Sequence, residues 1–165
     1  MHAQSGNAIT IRFALPSAEL APYVTTYYCT EVVASPSEPE LEDFLHPEWP
    51  NLRFMDEGWA LSAVGVDAPL EATPAFSATG PTSMATRFRI GSGRSWGIGL
   101  MPLGWACLVD GAASDYADRV VDGRADPAFA VFAPLAEALA QNYGDFASDL
   151  SIIEQHMAQL VPQDS

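Results

Sequence analysis

Between Pro81 and Asp110 the hydrophobic period of the chain changes, and that change limits the possible folds more than any other feature. Phe88 and Ile90 alternate with Arg87 and Arg89, and Trp96, Ile98 and Leu100 alternate with Ser95, Gly97 and Gly99. A two-residue period places the two sets on opposite faces of a strand. Gly91-Ser-Gly-Arg94, between these runs, reads as a hairpin loop. In Met101-Pro-Leu-Gly-Trp105 the proline ends a strand or opens a helix, because it has no N–H to give to the middle of a sheet. Past Leu103 the period is about 3.6. A β region therefore hands over to helices, which defines an α+β chain.

Further strands precede this junction. Ile9, Ile11, Phe13 and Leu15 alternate with smaller or polar residues, predicting a strand over Ala8–Leu15. Tyr23–Val33 is rich in Thr, Tyr and Val, which fit a pleated, half-buried surface. Ala34–Asp43 carries two prolines and four acidic residues without an apolar period and reads as an exposed loop. Asn51–Met55 and Trp59–Val66 flank Asp56-Glu-Gly58 as a hairpin, and Phe76–Thr79 and Ala85–Ile90 form a further pair around Gly80-Pro81. Six to eight short strands over roughly residues 8–100 predict a small barrel or a sandwich.

In the helical part, over roughly residues 103–160, Trp105, Leu108 and Val109 form a short stripe, and Ala113–Val120 reads as one or two helical turns. Asp126-Pro127 is a helix start, with Asp as N-cap and Pro at the first position. Phe129, Phe132, Leu135, Ala136 and Leu139 share a face, and Pro134 marks either a kink or a second start. The last helix has Phe146, Leu150, Ile153, Met157 and Leu160 spaced 4, 3, 4, 3, with Asp149, Glu154, Gln155 and Gln159 off the stripe. That seam either packs on its own domain or forms a homodimer interface.

A chain of 165 residues is long enough to bury one core without staples. Its 21 acidic side chains against seven arginines and no lysine give a net charge of −14, which repels phosphate backbones and excludes DNA binding by this part alone. No apolar run approaches the ~20 residues of a membrane span, and Met1–Asn7 lacks the pattern of a secretory signal, so a cytoplasmic location is expected. Cys29 and Cys107 stand far apart and are read as small buried hydrophobes.

Catalytic patterns are missing. There is no nucleophile elbow, Walker loop or dinucleotide fingerprint, and Glu42-Asp43 and Asp56-Glu57 lie in polar loops. His2, His46 and His156 are the only imidazoles; with no His-x-His pair, only His46 beside Glu48 could seed a metal cluster, and neither a metal nor another cofactor is expected. The run His46–Phe54, HPEWPNLRF, is more informative. Two prolines lead into a strand, placing Trp49 and Arg53 at the lip of a barrel, where a ring and a guanidinium suit an organic anion. The alternative is that Trp49 packs over the barrel end and Arg53 pairs with a carboxylate. Arg87 is read as either a surface ion-pair partner or a cavity contact, and Trp96 as a further pocket residue.

HPEWPNLRF, GPTSMATRFRI (Gly80–Ile90), WGIGLMPLGWACLV (Trp96–Val109) and DYADRVVDG (Asp115–Gly123) together resemble the N-terminal domain of a subset of AraC-type transcriptional regulators, over about residues 8–160. The resemblance implies a cupin-like β-barrel (8–101) with C-terminal helices (102–161), forming a single regulatory domain for effector sensing and homodimerisation. DNA would be contacted only through an attached helix-turn-helix domain that lies outside residues 1–165. Trp49, Arg53, Arg87 and Trp96 are then the candidate effector residues, and Phe146, Leu150, Ile153, Met157 and Leu160 the candidate dimer contacts. The rival readings are a cupin-like enzyme acting on a small organic substrate and a structural dimerisation module with a filled barrel.

Overall fold

The computed structural model describes residues 6–142 and 144–163; His2 lies outside them. Its strands are β1 (Ala8–Ala14), β2 (Val24–Val33), β3 (Leu41–Leu45), β4 (Asn51–Glu57), β5 (Ala60–Val64), β6 (Glu71–Ala72), β7 (Phe76–Thr79), β8 (Thr86–Ile90), β9 (Gly93–Leu100) and β10 (Val120–Asp122). The helices are α1 (Pro102–Leu108), α2 (Ala133–Gln141) and α3 (Phe146–Leu160), with 3-10 turns at Ala113–Tyr116 and Pro127–Phe132.

These strands form two antiparallel sheets, one ordered β1-β2-β9-β4-β7-β10 and the other β3-β8-β5-β6. Neither closes, which overturns the cupin-like barrel. In a barrel every strand has two hydrogen-bonded neighbours, whereas among the described residues β1, β10, β3 and β6 have one each.

The physical reason lies in the connections expected to be hairpins. β4 pairs with β7 and β9 while β5 pairs with β6 and β8, so Asp56-Glu-Gly58 carries the chain from one sheet to the other. Gly80-Pro81 and Gly91-Ser92 make the same kind of transfer, out of β7 and into β9. Gly58 adopts φ +96°, and a Cβ there would meet the Ser92 carbonyl oxygen at 2.5 Å, so glycine lets two of these crossings pass each other. The supposed loop Ala34–Asp43 also contains the start of β3, which pairs with β8 from Leu41 opposite Ile90 to Leu45 opposite Thr86.

The main core lies on one face of the six-stranded sheet. Tyr27 and Cys29 of β2, Leu52 and Phe54 of β4, Phe76 and Ala78 of β7, and Trp96, Ile98 and Leu100 of β9 meet the helical layer there. That layer contributes Trp105, Leu108, Phe129, Phe132, Leu135 and Leu139, with Ile153 and Met157 from α3. Each fully buried Leu, Ile, Met or Phe contributes roughly 1.5–3 kcal/mol, so this one interface supplies most of the hydrophobic stabilisation.

Local chemistry fixes where the helices start. Pro102 opens α1, and the Asp126 side chain accepts from the Ala128 N–H at 3.0 Å to cap the turn at Pro127. Of the two roles open to Pro134, it takes the one at a helix start, in the first turn of α2. The expected turns at Ala113–Val120 are one 3-10 turn followed by the entry to β10.

On α3, Ile153 and Met157 are fully buried within the chain, and Phe146, Leu150 and Leu160 pack partly buried against the core. The stripe is therefore engaged in the domain's own packing, and the solvent side of α3 presents Ala147, Ser151, Gln155 and Gln159. Cys29 is buried as expected, but Cys107 is exposed, because it lies on the side of α1 opposite the buried Trp105 and Leu108. Among the described residues no helix is long and apolar enough to cross a membrane.

Candidate functional site

The other face of the six-stranded sheet carries small and polar side chains at its centre and apolar ones toward the β1 edge, a direct result of the two-residue period. Where β9 sends Trp96, Ile98 and Leu100 to the core, it presents Ser95, Gly97 and Gly99 on the reverse; β7 likewise presents Ser77 and Thr79. The four-stranded sheet does not collapse onto this surface. Between the two sheets lies a cavity of ≈ 860 Å³, within the range of sites that hold drug-sized ligands.

Both of its walls mix polar and apolar side chains. The six-stranded floor carries Thr30, Ser77, Thr79 and Ser95 together with Tyr28, Asn51 and Arg53. The opposite wall carries Phe88, Ile90 and Thr86 of β8 with Ala60 and Ser62 of β5. Ile9, Ile11 and Phe13 of edge strand β1 also line the space, and all three are 45% exposed or more. They form an apolar rim where the sheets part.

On the floor, the Tyr28 hydroxyl donates to Asn51 Oδ1 at 2.7 Å, and Asn51 Nδ2 donates to the Trp49 carbonyl at 2.7 Å. This chain fixes the ring of Tyr28, above which the Arg53 guanidinium stands 5.9 Å from the centroid. Burial pushes the Tyr28 phenol above its ordinary value; Arg53 opposes that shift and Glu48 adds to it. Arg53 Nη2 donates to Glu48 Oε1 at 2.6 Å, an ion pair about one quarter exposed on each side.

A second guanidinium lies at the junction of cavity and helices. Arg94 of β9 borders the cavity, but its side chain leaves on the face of Trp96, where Nη1 donates to the Gly144 carbonyl at 2.9 Å and Nη2 to Asp149 Oδ2 on α3. Its Nε faces Asp56 and Glu31, each at 3.9 Å. Asp149 is 1% exposed and also accepts from Trp96 Nε1 at 3.0 Å. Burial raises the Asp56 carboxyl above its ordinary value, with the Arg94 charge opposing. Burial also raises the Cys29 thiol, again opposed by Arg94, which disfavours the thiolate a nucleophile needs.

The residues singled out from the sequence separate into two groups. Trp49, about half exposed, and Arg53 both line the cavity. Arg87 lies on the outer face of β8, where its Nη2 reaches the Ala68 carbonyl at 3.4 Å. Trp96 is on the core side of β9, its ring 5.1 Å from that of Phe146. Tyr28, Asn51 and Trp59 belong to the cavity and were not foreseen, and Glu48 is the carboxylate that Arg53 pairs with. Period two did carry a signal for Tyr28, since Tyr27 and Cys29 must face one way and Thr26, Tyr28 and Thr30 the other. Among the described residues no group of three or more His, Cys, Asp or Glu could hold a metal ion.

No family model and no curated protein matches this chain. Among solved structures it has a distant likeness to the AraC-like transcriptional activator CuxR, with 16% identity and a TM-score of 0.42, covering 94% of this chain. The chain spans 64% of the length of that protein.

Proposed function

We propose that this chain is the sensory part of a transcription regulator, holding a small effector between its two sheets and passing occupancy to an attached DNA-binding unit. The observation that carries the reading is the separation of core from cavity. One face of the six-stranded sheet builds the apolar core and the other lines ≈ 860 Å³ of space. The space can fill and empty without dismantling the main packing. The sequence motifs from His46 to Gly123 support the regulator class, and the charge of −14 fits a part that leaves DNA contact to another domain.

A route for the signal runs along β9, where Ser95 lines the cavity and its neighbour Arg94, on the opposite face, is bonded to Asp149 of α3. A ligand that prefers one placement of this strand shifts the population of α3 arrangements by its differential affinity.

The test is binding of N-phenyl-1-naphthylamine, an uncharged dye that brightens in apolar surroundings. The expected result is saturable one-to-one binding that is lost in Ser95→Phe and Thr30→Phe, two variants that fill the cavity from different strands. Binding unchanged in both folded variants would overturn the receptacle.

A further inference from the structure

We infer that the cavity selects an uncharged, ring-bearing apolar molecule and discriminates against organic anions; this rests on the receptacle reading above. The charged residues around the space are Asp43, Glu48 and Glu57 against Arg53, and Arg94, whose side chain leaves β9 on the face of Trp96 toward α3. Both guanidiniums are already committed. Arg53 is held by Glu48 at 2.6 Å, and Arg94 is bonded to buried Asp149 and the Gly144 carbonyl and faces Asp56.

An entering carboxylate, sulfonate or phosphate would therefore lose water without gaining a free cation. It would also enter beside three carboxylates, on a chain with net charge −14. The anion site expected at Trp49 and Arg53 is thus cancelled by Glu48, five residues before Arg53 in the chain. What remains is hydrocarbon and ring surface from Ile11, Phe13, Trp59, Phe88 and Ile90. The hydroxyls of Ser77, Thr79 and Ser95 on the floor, with those of Ser62 and Thr86 on the facing wall, suit a ligand that also carries one or two hydroxyl or carbonyl groups.

The experiment compares two dyes with one ring skeleton, N-phenyl-1-naphthylamine and 8-anilino-1-naphthalenesulfonate, which differ by a sulfonate. Both are titrated into the full chain, into Glu48→Gln, and into the cavity-filling variants Ser95→Phe and Thr30→Phe. The expected result is a Kd for the uncharged dye at least about tenfold lower than for the sulfonate. Glu48→Gln frees Arg53 and narrows that gap by strengthening sulfonate binding, and either filling variant abolishes cavity binding of both.

Sulfonate binding as tight as that of the uncharged dye, and sensitive to the filling variants, would overturn the selectivity while leaving the receptacle standing. So would a gap unchanged by Glu48→Gln in a folded protein. Binding of both dyes indifferent to Ser95→Phe and Thr30→Phe would remove the receptacle itself.

Discussion

Replacing Asp149 with alanine is the most informative single perturbation of the fold. Its carboxylate is 1% exposed and accepts from Arg94 Nη2 and from Trp96 Nε1 at 3.0 Å. Removing one partner of a buried ion pair costs about 3–5 kcal/mol, because the other charge stays behind uncompensated. Arg94 has partial relief, since its side chain is 17% exposed and Asp56 and Glu31 lie 3.9 Å away. The stranded Trp96 N–H adds about 1–3 kcal/mol if water does not reach it. The two costs overlap, and the net expectation is about 3–4 kcal/mol, a sizeable share of the 5–15 kcal/mol typical of a domain. For a chain of this size that lowers Tm by about 6–16 °C. Asp149→Asn keeps an acceptor for Trp96 and loses only the charge, so it costs less, about 2 kcal/mol. Denaturant unfolding followed by tryptophan fluorescence measures both. A loss below about 1 kcal/mol for Asp149→Ala, the level of an exposed pair, would refute the clamp between β9 and α3.

Gly97→Ala should impair the cavity more than the core, because a Cβ there would come within 2.0 Å of the Tyr28 ring, which Asn51 holds in place. Dye titration should show weakened binding, and unchanged affinity would mean that Tyr28 moves aside freely. Asp118 accepts from the Ser83 N–H at 2.6 Å and the Ser83 hydroxyl at 2.8 Å, and these bonds hold its carboxyl below the ordinary 3.8. A depressed carboxyl pKa gives stability that is fully present above 3.8 and is lost as pH falls through the folded value. The stability gap between the parent and Asp118→Asn should therefore close as the pH is lowered below about 3.8; a gap constant with pH would remove that link.

β1, β2, β4, β5, β7, β8 and β9 were legible as short strand-like runs, β3 and β10 were hidden in segments read as a loop and as helical turns, and the helical stripe from Phe129 to Leu139 was legible because all five of its residues are buried. Pairing was not legible. A glycine between two alternating runs reads the same whether the chain turns back in one sheet or crosses to another, and Gly58 does the second. Trp96 went to the core because β9 places its large side chains on the helix side, a choice that alternation alone does not reveal. Asp149 looked like a solvated residue beside the α3 stripe, and only the fold brings Arg94, 55 positions earlier, to its carboxylate. Pairing of Arg53 with a carboxylate was one of two readings open in the sequence, and only side-chain placement settles it in favour of Glu48.

The most direct measurement of the central claim is a crystal structure of the chain soaked with a brominated N-phenyl-1-naphthylamine, read from the anomalous signal of the bromine. The account predicts one bromine peak between the sheets, beside Phe88 and Ser77, with the main core unchanged. A peak only at the outer surface of the sheets or helices, with the intersheet space closed by side chains, would contradict it.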